Sequence, residues 1–161
     1  MKYRSLAIHL LSLMLIEGCI KDYVSSTRTL MANQTPYDIL IVPYKNGVLD
    51  MGNMRTVSAM ETIEVYADNV MGKSLDPCWG TLLQPYDSVL VTFQSMPAKT
   101  SVHYSWRDTL ISSQGKVPFL NERNISDEQH YNKVITKEDK NYLVGYYEYT
   151  FTESDYEYAQ K

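Results

Sequence analysis

Short segments with alternating apolar and polar side chains restrict the fold of this 161-residue sequence more than any other feature. In residues 87–94, Val89, Val91 and Phe93 recur every second position, which places them on one face of a strand. Residues 142–151 alternate in the same way, with Leu143, Gly145, Tyr147, Tyr149 and Phe151 on one face. We predict further strands at residues 37–42, 59–67, 100–106 and 109–112. Because no twelve-residue stretch after residue 18 has good helical periodicity, alternating strand–helix folds are disfavoured.

Turn-forming residues separate these predicted strands. Pro43 is expected to end the strand at 37–42, and Asn46-Gly47 predicts a tight reversal. Residues 68–86 and 116–140 are predicted to be long loops, the second with a short helix after Ser126. A second short helix is expected from Thr152 through Ala159. This spacing favours an all-β fold, an antiparallel immunoglobulin-like sandwich with long loops, and its alternative is a small β-barrel.

The N-terminal residues have the layout of a signal peptide. Lys2 and Arg4 precede an apolar run over residues 6–16, and Gly18 stands just before Cys19. This run of eleven residues falls well short of the roughly 20 that a membrane-spanning helix needs. The sequence therefore predicts a cleaved secretion signal over residues 1–18.

The end of this segment resembles a known processing site. Ile16-Glu17-Gly18-Cys19 resembles the lipobox of bacterial lipoproteins, and Ile20-Lys21-Asp22 is similar to the export tags of Bacteroidetes surface lipoproteins. The resemblance implies cleavage before Cys19 and acylation of that residue. It also implies a membrane-anchored protein of the cell envelope, in the outer membrane, facing the periplasm or the cell surface. The alternative is an ordinary secreted protein in which Cys19 is free to pair with Cys78.

The mature chain is then divided in two by composition. Residues 19–36 are polar and unpatterned, and we predict that they form a flexible tether able to reach about 55 Å when extended. An N-terminal arm packed on the domain is the alternative. Residues 37–161 are expected to form a single β-rich domain.

The charge of the mature chain excludes one class of partner. Removing residues 1–18 lowers the 15 basic and 19 acidic side chains to 13 and 18, which leaves a net charge of −5. An acidic domain gains no counterion release on nucleic acid. We therefore predict no nucleic-acid partner.

The mature chain offers few reactive groups in a catalytic or metal-binding pattern. The mature chain has two histidines, His103 and His130, in no zinc-binding spacing, and no glycine-rich phosphate loop. Cys78 lies beside Trp79 with no cation nearby in sequence to lower its pKa. We predict no catalytic residue, metal site or cofactor, and the alternative is a small envelope enzyme whose site lies in a loop near Cys78.

Two short triplets resemble a modification signal. Asp87-Ser88-Val89 and Asp108-Thr109-Leu110 are similar to the triplet that receives O-linked sugar in exported Bacteroidetes proteins. Ser88 and Thr109 are therefore candidates for glycosylation, and the alternative is that both are ordinary strand residues.

Aromatic side chains carry the functional prediction. The sequence has 14 tyrosines, and such flat amphipathic side chains suit both half-buried sheets and binding surfaces. We predict a non-catalytic, lipid-anchored binding or assembly module that contacts carbohydrate or a partner protein. The alternative is that most of these side chains fill the core. The candidate binding residues are Trp79, Tyr86, Tyr104, Trp106, Tyr142 and Tyr146.

Overall fold

Two β-sheets packed face to face make up the protein. The computed structural model describes residues 22–75, 86–105, 115–121 and 123–160. The candidate residues Cys19, Cys78, Trp79, Trp106 and Thr109 lie outside these ranges. The described strands are β1 (Val24–Asn33), β2 (Ile39–Lys45), β3 (Val48–Leu49), β4 (Arg55–Val57), β5 (Thr62–Met71), β6 (Ser88–Phe93), β7 (Lys99–Tyr104), β8 (Lys116–Val117), β9 (Asn132–Glu138) and β10 (Tyr142–Phe151).

The first sheet has the strand order β5-β1-β10-β9, and the second has the order β3-β2-β6-β7-β8 with β4 also paired to β2. Because both sheets end in edge strands, the described residues form an open sandwich and no closed barrel, which confirms the predicted all-β sandwich. Most neighbouring strands are antiparallel. Two pairs differ, since β1 runs parallel to β10 and β7 runs parallel to β8.

The core lies between the inner faces of the two sheets. Val89, Val91 and Phe93 of β6 are at most 1% exposed, as the alternation in the sequence predicted. On β10, residues 143, 145, 147, 149 and 151 are buried and the residues between them are partly exposed. The rings of Phe93 and Phe151 meet edge to face across the sandwich with their centroids 6.4 Å apart. The predicted inner faces of both strands are therefore confirmed.

The prediction of a flexible tether over residues 19–36 is wrong from residue 24 onward. Strand β1 pairs along its whole length with β10 and also pairs with β5, with a register shift between Thr29 and Leu30. Its inward side chains include Ser25, Thr27 and Thr29, which are at most 2% exposed. Because these core-facing residues carry hydroxyl groups, the segment shows no hydrophobic alternation although it is an interior strand. The folded domain therefore begins well before Tyr37.

A buried amide secures the end of β1. The Asn33 side chain donates hydrogen bonds to the carbonyl oxygens of Tyr37, Val57 and Ser58, at 2.8, 3.2 and 3.0 Å. Its oxygen accepts hydrogen bonds from the Thr35 backbone and hydroxyl. Residues 33–37 are thus bound to the second sheet, because Val57 belongs to β4.

Several strand boundaries also differ from the predictions. Strand β2 does not end at Pro43 but continues through it, and Pro43 pairs with Val89 of β6. On the other side of β2, the Pro43 carbonyl accepts a hydrogen bond from the Asp50 amide. Strand β5 extends to Met71, and β9 lies within residues predicted to form a loop. Edge strand β9 is almost entirely exposed, so burial imposes no alternation on its sequence. The Asn46-Gly47 reversal is confirmed, with φ angles of 53° and 75°.

Two predicted helix starts are confirmed. A 3-10 helix over Glu128–His130 follows Asp127, whose carboxylate accepts a hydrogen bond from the Gln129 amide. The α-helix α1 (Glu153–Tyr158) begins with a capping box formed by Thr152 and Asp155. Asp155 also pairs with the Arg123 guanidinium, which joins the helix to the loop before β9.

Candidate functional site

Among the described residues, a candidate site lies on the outward surface of β1, β10 and β9 in the first sheet, and we call this surface the outer face. Side chains from paired positions meet there because paired residues point to the same side of a sheet. Arg28 of β1 lies beside Tyr146 of β10, and Ser26 lies beside Val144. All four are at least partly exposed. The outer face therefore presents aromatic, aliphatic and cationic groups side by side.

A depression of about 260 Å³ opens on this outer face. Leu30 and Val144 supply apolar surface, Tyr146 an aromatic ring and Arg28 a cation. Its full lining is Arg28, Leu30, Thr136, Val144, Gly145 and Tyr146. Ligand pockets for drug-sized molecules are about 300–1,000 Å³. The depression is therefore of a size for one ring or one side chain.

A β-bulge shapes the floor of the depression. The register between β10 and β9 shifts between Val144 and Gly145, so Thr136 has no partner position on β10. Its hydroxyl instead donates a hydrogen bond to the Val144 carbonyl at 3.1 Å. An added Cβ at Gly145 would lie 2.5 Å from Leu75 Cδ1 and 2.5 Å from the Val134 carbonyl oxygen. Glycine is therefore required where the core and β9 approach the floor this closely.

Charged groups border the depression. Arg28 Nε lies 3.6 Å from a Glu64 carboxylate oxygen of β5, and the Arg28 side chain is 61% exposed. Towards the start of β10, Lys137 Nζ lies 4.6 Å from the centroid of the Tyr142 ring. An exposed ion pair of this kind contributes little stability, about 0–1 kcal/mol, so Arg28 is available for ligand contact at small structural cost.

The described candidate tyrosines do not share one surface. Tyr142 and Tyr146 both lie on the outer face, where paired residues Val24 and Arg28 flank them. Tyr104 lies on the outward side of the second sheet, paired with Ser88. Tyr86 is 9% exposed, and its hydroxyl donates a hydrogen bond to Asp50 at 3.2 Å. Only Tyr142 and Tyr146 of the described candidates are therefore brought together.

Other tyrosines fill the interior. Tyr131, Tyr147 and Tyr149 are buried, and each hydroxyl donates to a backbone carbonyl: Ile125 at 2.9 Å, Leu75 at 3.2 Å and Arg123 at 2.7 Å. Burial raises the pKa of the Tyr149 hydroxyl. These side chains are structural, in line with the alternative that much of the tyrosine content packs the core.

His103 is held inside the sandwich in a single hydrogen-bonding state. Its Nδ1 accepts a hydrogen bond from the Ile125 amide at 3.2 Å, so the proton of the neutral ring lies on Nε2 and is donated to Ser101 Oγ at 3.1 Å. Burial lowers the pKa of His103 to about 4. A ring that donates to Ser101 cannot take its proton, so this buried pair is not a serine–histidine nucleophile.

His130 lies close to a carboxylate. Its Nε2 lies 3.3 Å from a carboxylate oxygen of Asp127, the residue before the 3-10 helix. Neither histidine faces the depression. Cys78 lies outside the described residues, so a cysteine-based site near it stays a prediction.

Two further sequence predictions concern metal binding and glycosylation. Within the described ranges there is no group of three or more histidine, cysteine, aspartate or glutamate side chains able to hold a metal ion. Ser88 is 8% exposed in β6, so on the folded domain its hydroxyl has little room for a glycan.

Over the same described ranges, no helix has the length and apolar character to cross a membrane.

Of the six residues that line the depression, the sequence identified only Tyr146 as a candidate binding residue. Val144 and Gly145 were placed in the last predicted strand without a binding role, and Arg28, Leu30 and Thr136 were not placed in any strand. Arg28 and Leu30 belong to β1, which was predicted to be a tether, and Thr136 belongs to β9, which was predicted to be a loop. Only the pairing of both strands with β10 brings these residues beside Tyr146. The β-branched residues Thr27 and Thr29 at alternate positions were the one available signal for a strand here.

Comparison of the chain with protein-family models, with curated proteins and with solved structures returned no match.

Proposed function

We propose that this protein is a lipid-anchored, non-catalytic binding module of the cell envelope whose binding site is the depression on the outer face. The observation that carries the proposal is the convergence of Tyr146, Arg28 and Leu30 from two adjacent strands in one open concavity. Rigid strands hold these side chains, which favours recognition because little order has to be gained on binding.

The composition of the depression favours a sugar ring as the ligand. A tyrosine beside aliphatic groups offers a flat apolar surface, and the guanidinium of Arg28 offers several hydrogen-bond donors to hydroxyl or carboxyl groups. The volume of about 260 Å³ suits one ring of a longer chain that continues along the sheet. A side chain of a partner protein is the second candidate occupant, since the same mixture of groups occurs at protein interfaces.

Glycan-array binding by the mature chain tests this site. A Cys19→Ser background keeps the protein soluble without detergent. We expect the wild-type domain to bind at least one class of envelope oligosaccharide, and Tyr146→Ala or Arg28→Ala to weaken that binding at least tenfold, about 1.4 kcal/mol. Tyr104→Ala, on the opposite sheet, is the matched control and should bind normally. A domain that binds no glycan overturns the carbohydrate assignment.

The anchor is the second part of the proposal. The lipobox-like residues before Cys19 support acylation, and each buried methylene group contributes about 0.8 kcal/mol to membrane attachment. Intact mass of the membrane-extracted protein should show a chain that begins at an acylated Cys19, and Cys19→Ser should release the protein in soluble form. An unmodified Cys19 in a soluble wild-type protein would contradict the anchor.

A further inference from the structure

The pairing of β1 fixes how far the domain can stand from a membrane anchor. The backbone of Tyr23 accepts a hydrogen bond from Gly72, and the amide of Val24 donates to Asn141. Only residues 20–22 separate Cys19 from Tyr23. Four residue steps span about 14 Å at full extension. The end of the sandwich where β1 begins is therefore close to any bilayer that holds acyl chains on Cys19.

This end of the first sheet carries an exposed apolar row. Val24 pairs with Met71 on one side and with Tyr142 on the other, so the three side chains lie in line across β5, β1 and β10. Val24 is 38% exposed and Met71 is 67% exposed. We call these three residues the anchor-end row. Exposed methionine and valine beside a tyrosine suit the boundary between headgroups and acyl chains, where amphipathic rings are enriched.

Lysines flank the anchor-end row in a suitable arrangement. Lys73 lies two residues after Met71, the last residue of β5, and its ammonium pairs with the Glu138 carboxylate at 2.7 Å. Lys137 lies against the Tyr142 ring. Lysine stems cover apolar surface while their ammonium groups reach towards water and phosphate. The described charges at this end balance, because Lys73, Lys137 and Lys140 are matched by Asp22, Glu138 and Asp139. Attachment here would depend on apolar contact more than on anionic lipid.

We propose that the anchor-end row docks on the headgroup region of the bilayer and fixes the orientation of the domain. This inference rests on the proposed lipidation of Cys19. Strand β1 then runs away from the membrane, and Arg28, four residues beyond Val24, lies about 13 Å further along the strand. The depression on the outer face is thereby held beside the membrane and open to ligands from the side.

Two exposed methionines at opposite ends of the same strand test the docking. Met71 ends β5, and Met60, which is 72% exposed, precedes its start. Met71→Cys and Met60→Cys are each labelled with a fluorophore in the lipidated protein and reconstituted in phosphatidylcholine vesicles that contain headgroup-spin-labelled lipid. The unsubstituted protein, with Cys78 as its remaining cysteine, gives the background signal.

We expect the label at position 71 to be quenched several-fold more than the label at position 60, and this difference should persist at high salt. Val24→Glu should reduce the quenching at position 71 to the level at position 60. Equal quenching at both positions in a protein with an acylated Cys19 overturns the docking alone. An unmodified Cys19 in the mass spectrum overturns the anchor, and the docking falls with it.

Discussion

Strand β10 carries tyrosines on both of its faces, and the two faces use them differently. Tyr147 and Tyr149 point inward, are at most 8% exposed and donate hydrogen bonds from their hydroxyl groups to backbone carbonyls. Tyr142 and Tyr146 point outward and remain partly exposed beside lysine and arginine. Strand register alone separates these roles, because consecutive side chains leave a strand on opposite sides. The inward pair stabilises the sandwich, and the outward pair is available to bind.

Removing β1 should have the largest effect, because both faces of β10 depend on it. We compare a chain that begins at Tyr37 with a longer one that begins at Ile20. The shorter chain loses the strand between β5 and β10 and should show no cooperative unfolding transition by circular dichroism. The longer chain should unfold in one transition. A shorter chain that folds cooperatively would show that residues before Tyr37 are dispensable, as a tether would be.

Tyr149→Ala and Tyr146→Ala compare the two faces directly. Tyr149 is 1% exposed, and its ring packs edge to face on the Phe151 ring with the two centroids 4.9 Å apart. Its truncation should therefore lower the free energy of unfolding by about 3–5 kcal/mol. Tyr146→Ala should cost less than about 1 kcal/mol, since its side chain is already partly in water. Urea denaturation measures both. Equal losses would contradict the assignment of the two faces.

Gly145→Ala tests the close approach under the depression. The new methyl group would meet Leu75 Cδ1 and the Val134 carbonyl, both 2.5 Å away. Overpacking of this kind costs about 1–3 kcal/mol. The neighbouring Val144→Ala, on the outer face, is the control and should cost less. Thermal unfolding measures the stability of both variants. If Gly145→Ala were as stable as the wild type, β9 would not be held against this position.

Acid should weaken the interior through His103. The folded pKa is about 4, below the unfolded value of about 6.5, so the unfolded chain takes up a proton first as the pH falls. The stability that the domain gains from keeping His103 neutral and buried is therefore fully present above pH 6.5 and is lost as the pH falls towards 4. The free energy of unfolding should fall by about 1 kcal/mol between pH 7 and pH 5.5. In His103→Gln this fall should shrink, and an unchanged fall would assign it to other groups.

The sequence predicted well wherever one face of a strand is apolar. Strands β6 and β10 were found with their inner faces, and the capping residues Thr152 and Asp155 marked the start of α1. Strand β1 was missed because Ser25, Thr27 and Thr29 face the core. In β7 the polar residues Ser101 and His103 also face inward, and their burial depends on hydrogen bonds that residue type does not reveal.

The candidate site was only partly predictable for a related reason. Tyr142 and Tyr146 were identified from residue type and from their position on β10. Tyr104 and Tyr86 had the same residue type, and only sheet assignment shows that they lie elsewhere. The depression is formed by side chains of three strands. The parallel pairing of β1 with β10 brings Arg28 beside Tyr146, although the two residues are 118 positions apart in the sequence.

Mapping the amide chemical-shift changes of the protein on oligosaccharide binding tests the central claim most directly. The ¹⁵N-labelled Cys19→Ser domain is titrated with the oligosaccharide that binds best on the array. We predict that amide shifts concentrate on Arg28, Leu30, Thr136 and Tyr146, and that the second sheet around Tyr104 stays unchanged. Shifts centred on the second sheet, or no shifts with any oligosaccharide, would contradict the outer face as the carbohydrate-binding surface.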